Sequence, residues 1–208
     1  MKKEKINPTT KAEKADLRVN EFSELFPEGT LAEIQESEIP EAVMEIFERK
    51  SAQFINKDKY QPRNFEVYFV INHTSGDRTY LAQQTKTYET NKDTERLVYF
   101  VDARDDRILG YSELRNNISN PSEYFKDKPF VGYTETEKEF RNHGLGTRRL
   151  LLMNAFSLTQ YGRPLNSDTL NSEMSLWENL VKRGLAKKFQ KSKNIRYSFI
   201  ATTETPQT

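Results

Sequence analysis

The segment Phe140-Arg141-Asn142-His143-Gly144-Leu145-Gly146-Thr147 restricts the fold more than any other part of the chain. A strand-like run, Pro129 to Thr136, precedes it, and a strongly apolar stretch, Leu150 to Tyr161, follows it. Strand, glycine turn and helix together aim backbone N–H groups at an anion. The first N–H groups of a helix have no partners within it, and the helix dipole favours negative charge there. Two glycines one residue apart let a bulky phosphate come close to the backbone. The segment is therefore a candidate pyrophosphate cradle. A P-loop would need Lys-Ser/Thr after its last glycine, whereas Thr147 is followed by Arg148. The spacing also differs from the Gly-x-Gly-x-x-Gly of dinucleotide-binding folds.

At Arg141-x-x-Gly144-x-Gly146 the chain resembles the GCN5-related N-acetyltransferase family, whose acetyl-coenzyme A signature is Arg/Gln-x-x-Gly-x-Gly/Ala. Three further stretches fit it in order and spacing. Leu97 to Val101, the acidic turn Asp105-Asp106 and Ile108-Leu109-Gly110-Tyr111 look like its second and third strands. Pro164 to Asp168 looks like its short fifth strand. Leu176-Trp177-Glu178-Asn179-Leu180, with Arg183-Gly184-Leu185, looks like the end of its last helix. The likeness spans roughly Leu97 to Phe189. It departs from the family at Trp177, which stands where many members carry a tyrosine that protonates the leaving thiolate; an indole cannot serve as that acid.

The resemblance implies an α/β (α+β) acyl-CoA N-acyltransferase fold, with a mixed, mostly antiparallel, splayed sheet flanked by helices. It implies transfer of an acetyl group from acetyl-CoA to a primary amine by direct attack. The backbone of Asn142, His143, Gly144, Leu145, Gly146 and Thr147 would bind the pyrophosphate, with Arg141 adding a contact or fixing the turn. Arg148 and Arg149 would reach the 3′-phosphate or form a solvated face. Thr134, Glu135 and Thr136 would lie on the strand that pairs with the pantetheine arm and offers an oxyanion donor. Asn171 would cap the last helix or touch the pantetheine. The acceptor would be an amine-bearing small molecule or protein.

The chemistry needs a neutral amine, a donor for the developing oxyanion and a proton for the thiolate. Glu135 and Glu113 are the candidate bases, and Tyr133 and Tyr111 the candidate acids. Each also has a plainer reading, the glutamates as surface charge and the tyrosines as packing. Two other functions stay open: a coenzyme A-binding sensor or interaction module without turnover, and a modifier of a tRNA or DNA amine. The basic end from Lys182 to Arg196 favours the last, whereas 32 Lys+Arg against 31 Asp+Glu gives no overall nucleic-acid signal.

At 208 residues the chain is expected to form one domain over 21–201, with a polar tail at 1–20 and a frayed end at 202–208. The 13 Phe and 10 Tyr argue for a packed core. With no cysteine and only His73 and His143, disulfides, a cysteine acyl-enzyme and a histidine-rich zinc site are excluded, and no metal is expected. No apolar run approaches a membrane span, and no apolar segment follows the N-terminal lysines, so a cytoplasmic protein, alone or as a homodimer, is expected.

The hydrophobic pattern predicts a strand near Leu31 to Gln35 and a helix opened by Ile39-Pro40-Glu41. An additional hairpin is expected within 65–90 around Ser75-Gly76-Asp77. A loop should run from Asn116 to Ser122. An amphipathic helix should carry Leu170, Met174, Trp177 and Val181, and a last strand should run from Asn194 to Ile200. Thr134 and Thr136 should face one way, and Tyr133 and Glu135 the other.

Overall fold

A computed structural model describes residues 21–52, 65–87, 94–117, 128–167, 174–191 and 194–200. The tail 1–20, the end 202–208 and Asn171 lie outside them, as does most of the loop expected after Asn116; Asn116 and Asn117 themselves extend a strand. The described elements are β1 (Gly29–Ile34), α1 (Glu41–Ala52), β2 (Val67–His73), β3 (Arg78–Thr87), β4 (Thr94–Arg104), β5 (Arg107–Asn117), β6 (Phe130–Thr136), α2 (Leu145–Tyr161), α3 (Met174–Lys182), β7 (Ala186–Lys191) and β8 (Asn194–Phe199). Strands β1 to β6 form one antiparallel sheet in chain order, and β7 and β8 form a separate hairpin. The fold is thus a mixed α/β arrangement, an antiparallel sheet flanked by helices.

Strand β4 shows why helices lie on both sides. It is buried without a break from Leu97 to Ala103, so neither face meets water. Its odd-numbered residues Leu97, Tyr99 and Val101 join Val43 and Phe47 of α1 in one core. Its even-numbered residues Val98 and Phe100 join Leu150 and Phe156 of α2 and Trp177 of α3 in the other. The Phe156 ring stands edge-on to Phe100, centroids 5.6 Å apart. The expected extra hairpin, β2–β3, lies between β1 and β4.

Beyond β6 the pairing among the described residues is a bridge at Asn166. Asn166 makes a parallel bridge to Phe130 and an antiparallel bridge to Ser198. The Val131 N–H donates to Asn166 O, and the Asn166 N–H to Pro129 O, both at 2.9 Å. Among the described residues no strand pairing of β6 continues past this bridge on that side. Where a short fifth strand was expected, the structure has this single bridged position. Strand β7 was not foreseen: Ala186-Lys187-Lys188-Phe189 reads as a basic run, yet it pairs residue for residue with β8.

Candidate active site

The β5–β6 pair has a defect that decides where its side chains go. Tyr133 pairs with Glu113, but the next pair is Val131 with Leu114, so Gly132 is an extra residue in β6. A one-residue bulge reverses the alternation of side chains across it. Val131 stays in the α2-side core, while Tyr133 and Glu135 turn toward α1. Gly132 also leaves room beneath it. A Cβ there would lie 2.6 Å from both Glu113 Oε1 and Arg115 Nε.

On the α1 side, Tyr111 and Tyr133 stack with centroids 5.4 Å apart and planes 17° off parallel. Both hydroxyls donate to Glu135 Oε2, at 2.6 and 2.8 Å. These two bonds hold the Glu135 carboxyl below its ordinary range. Tyr111 moves the other way: burial, then the adjacent carboxylate, pushes it well above the usual tyrosine value. Lys50, near the end of α1, donates to the Tyr111 hydroxyl and sits 4.0 Å from the centroid of the Tyr111 ring. Glu113 is 4 % exposed and accepts from Arg115 Nε. Its carboxyl is pushed up by burial, which the Arg115 charge offsets only in part. The two candidate bases therefore differ. Glu135 is a hydrogen-bonded anion and a weak acceptor, whereas Glu113 is the carboxylate shifted toward useful basicity.

On the α2 side of the same strands, the Thr134 hydroxyl bonds to the Ser112 hydroxyl. Arg149 is fully buried there and donates four times: to Ser112 Oγ (3.0 Å), Asp102 Oδ2 (2.8 Å), Glu135 O (2.7 Å) and Thr136 Oγ1 (2.6 Å). Arg148 donates to Asp77 Oδ2 at 2.7 Å and to Ser75 Oγ at 3.3 Å. Neither arginine forms a solvated face: Arg149 is 0 % exposed, and the Arg148 side chain is 15 % exposed and paired with Asp77. They clamp the first turn of α2 to the sheet, because Asp102 and Asp77 put charge there that has to be neutralised.

The turn itself is exposed from Arg141 to Gly144. Gly144 is the N-cap of α2 with φ of +78°, a backbone that disfavours side chains, and the space around it is open. Among the described residues no side chain caps the helix, and no acidic residue stands in its first turn. The first helical bond runs from the Arg148 N–H to Gly144 O, so the N–H groups of Leu145, Gly146 and Thr147 precede the ladder. Asn142 also has positive φ, +67°. Arg141 Nε donates to Thr136 O at 3.0 Å and so ties the turn to the end of β6. Gly146 also meets a packing need. A Cβ there would lie 3.2 Å from Leu176 Cδ1, so the glycine allows α2 and α3 to pack closely. The backbone of His143 lies in the turn, as expected, and its side chain is exposed.

Trp177 is core: it is 2 % exposed and stacked on Tyr197 with centroids 5.8 Å apart. Sequence reasoning did not single out Lys50, which the register of α1 alone does not place beside Tyr111. It also missed Asp102, whose signal was a lone acid inside an apolar strand.

No protein-family model matches the chain, and no curated protein does. Among solved structures it is similar to one described as a streptothricin acetyltransferase from Bacillus anthracis in complex with acetyl coenzyme A. That match has a TM-score of 0.37 and 11% identity over 83% of this chain and 96% of the other. It is also similar to Elp3 of Methanocaldococcus infernus with an N-terminal deletion, with a TM-score of 0.33 and 15% identity. That match covers 57% of this chain and 30% of the archaeal one. Superpositions this loose, at identities this low, carry neither a fold family nor a function over to this chain.

Proposed function

We propose that the chain is an acetyltransferase of the GCN5-related kind, moving an acetyl group from acetyl-CoA to a primary amine by direct attack. One observation carries the reading. An exposed helix start, opened by a left-handed Gly144 and with no side-chain cap among the described residues, follows β6, the last strand of the six-stranded sheet. A diphosphate suits the first feature and an extended amide-bearing arm the second.

Acetyl-CoA would supply the activated acyl group; the rest falls to the chain. The N–H groups of Leu145, Gly146 and Thr147 hold the pyrophosphate. The backbone of 133–136 flanks the pantetheine and donates to the thioester carbonyl. Glu113 takes the proton of the attacking amine, and Glu135 with Tyr133 orients it. Buried Trp177 gives α3 no acid to offer, so the thiolate is protonated from solvent. That same residue favours a second reading, a coenzyme A sensor without turnover.

Calorimetry with acetyl-CoA, followed by thiol release across a panel of amines, tests both. Binding with turnover supports the enzyme, binding without turnover supports the sensor, and no binding removes both. Gly144→Asp should weaken binding by about tenfold, through the strained backbone and added negative charge at the helix start. Unchanged affinity in a folded variant would refute the site.

A further inference from the structure

Lys50 is a primary amine already in place on the face where the proposed function puts its acceptor. Its nitrogen bonds to the Tyr111 hydroxyl, 4.0 Å from that ring's centroid and 5.3 Å from that of Tyr133. Tyr133 and Glu135 belong to β6, directly after the Gly132 bulge. The aliphatic stem is half-buried along α1, which limits its rotation. Burial, then the charge of Arg49, holds the Lys50 ammonium below the ordinary lysine value, so a larger neutral fraction is present.

We propose that Lys50 is an acetylation site of the chain's own reaction, an internal acceptor held by the Tyr111–Tyr133–Glu135 cluster. The inference rests on the acetyl-CoA reading above. An acceptor amine needs proximity, a defined direction and a route for its proton. The stacked phenols fix the direction. For this internal amine the route is a relay to solvent rather than transfer to the Glu113 base: it runs from Lys50 Nζ to the Tyr111 hydroxyl to Glu135 Oε2, in which Tyr111 accepts from one neighbour and donates to the other and Glu135 only hands the proton on. Tyr111 can therefore pass a proton along without ionising.

The step balances. Lys50 Nζ forms a bond to the thioester carbonyl carbon, and the C–S bond breaks with its electron pair going to sulfur. The ammonium loses two protons in all. One ends on the thiolate, and the other leaves through Tyr111 and Glu135 to solvent. Nothing is oxidised or reduced.

The test is to incubate the full chain with acetyl-CoA, follow acetyl occupancy at Lys50 and at exposed Lys187 by peptide mass spectrometry, and measure acetyl-CoA binding separately by calorimetry. Lys50 should react at least about tenfold faster than Lys187. Its rate should not depend on protein concentration. Excess free coenzyme A should suppress it while leaving Lys187 unchanged, and Gly144→Asp should slow it. Binding of acetyl-CoA with Lys50 no faster than Lys187 overturns the inference and leaves the acetyl-CoA reading intact. A rate that rises with protein concentration overturns the internal route. Insensitivity to free coenzyme A reduces the modification to ordinary chemical reactivity, and absence of binding overturns both readings.

Discussion

Strands β5 and β6 send alternate residues to opposite sides of the sheet, and the two sides are treated differently. Toward α2 lie Ser112, Thr134 and Thr136, met by Arg149 and through it by Asp102. Thr79 donates to Asp102 Oδ1 at 2.6 Å, so the same hydroxyl accepts from His73 Nε2, also at 2.6 Å. That cluster is closed: Arg149 and Asp102 are 0 % exposed, and the arginine makes four hydrogen bonds. Toward α1 lie Tyr111, Glu113, Tyr133 and Glu135, where Tyr133 is 46 % exposed and Glu113 is shifted upward by burial. One face neutralises its charges and holds two elements together. The other keeps groups whose protonation can change and one ring open to solvent. The proposed proton transfer is assigned to the second face, and rigidity of the helix start to the first.

The sharpest way to break this division is to unbalance the closed face. Arg149→Met takes from buried Asp102 its nearest cation and leaves only the Thr79 hydroxyl and Arg148 Nη2, 3.9 Å away. The expected cost is about 3–5 kcal/mol of stability, read from denaturant unfolding. Adding Asp102→Asn should recover part of that loss. Recovery would show that the stranded charge is the cause; its absence would mean that the cost is lost packing and that the network is not electrostatic in origin. The same single variant should weaken acetyl-CoA binding in whatever fraction remains folded, because Arg149 joins the α2 start to Glu135 and Thr136 of β6.

Much of this layout was legible in the sequence. Alternation and turn residues placed β1 to β6, and the glycine turn placed the start of α2. The opposite facing of Thr134 and Glu135 followed from strand periodicity alone. What escaped was set by contacts distant in sequence. Arg148 and Arg149 read as phosphate ligands or a solvated face because they follow the turn, but their partners, Asp77 and Asp102, are brought there only by the sheet. The bulge had a visible sign in Gly132, yet a glycine inside a strand does not say which register it breaks. Strand β7 was hidden by its lysines, since one face of the hairpin is solvated and its pairing partner is a separate strand. Lys50 lies in a helix whose rotation about its axis is fixed by Val43 and Phe47, and only the packed structure aims it at Tyr111.

A second prediction sharpens the contrast within the open face. Glu113→Gln should lower kcat by about 10²-fold, with little change in acetyl-CoA affinity, as loss of a general base does. Glu135→Gln should act mainly on the KM for the amine, because Glu135 is an anion fixed by two phenols. The sign of the pH effect follows from the raised pKa of Glu113. A base must be deprotonated, so activity falls as pH drops through a midpoint above the ordinary glutamate value of 4.5. Glu113→Gln should flatten that acidic limb, and Glu135→Gln should leave it in place. The reverse pattern would move the base to Glu135. If both variants keep wild-type kcat and pH dependence, the amine arrives neutral and neither carboxylate is the base.

The smallest effect tests the closed face through His73. Burial, then the charge of Arg148, lowers the His73 pKa from 6.5 to about 4. Because Thr79 donates to Asp102, the His73 proton must sit on Nε2. Nδ1 is then a bare nitrogen, buried without a hydrogen-bond partner among the described residues. Protonation would place a second cation beside Arg148. Between pH 6.5 and about 4 the unfolded chain holds a proton on this histidine that the folded chain does not. Stability contributed by neutral His73 is therefore full above 6.5 and is lost as pH falls toward 4. Asp77 does not confuse that window: burial raises its carboxyl, but bonds and charges from Arg104 and Arg148 outweigh burial and bring it down to about 2. Glu113 acts in the opposite sense, since a carboxyl with a raised folded pKa gains stability on acidification. Thermal midpoints of the wild type and His73→Gln, measured in steps from pH 7 to pH 4, separate the two. The glutamine amide can still donate to Thr79 but cannot be charged, so the variant's midpoint should fall less steeply. Parallel curves would mean that His73 is not held neutral, and that the closed face admits a charge its geometry has no partner for.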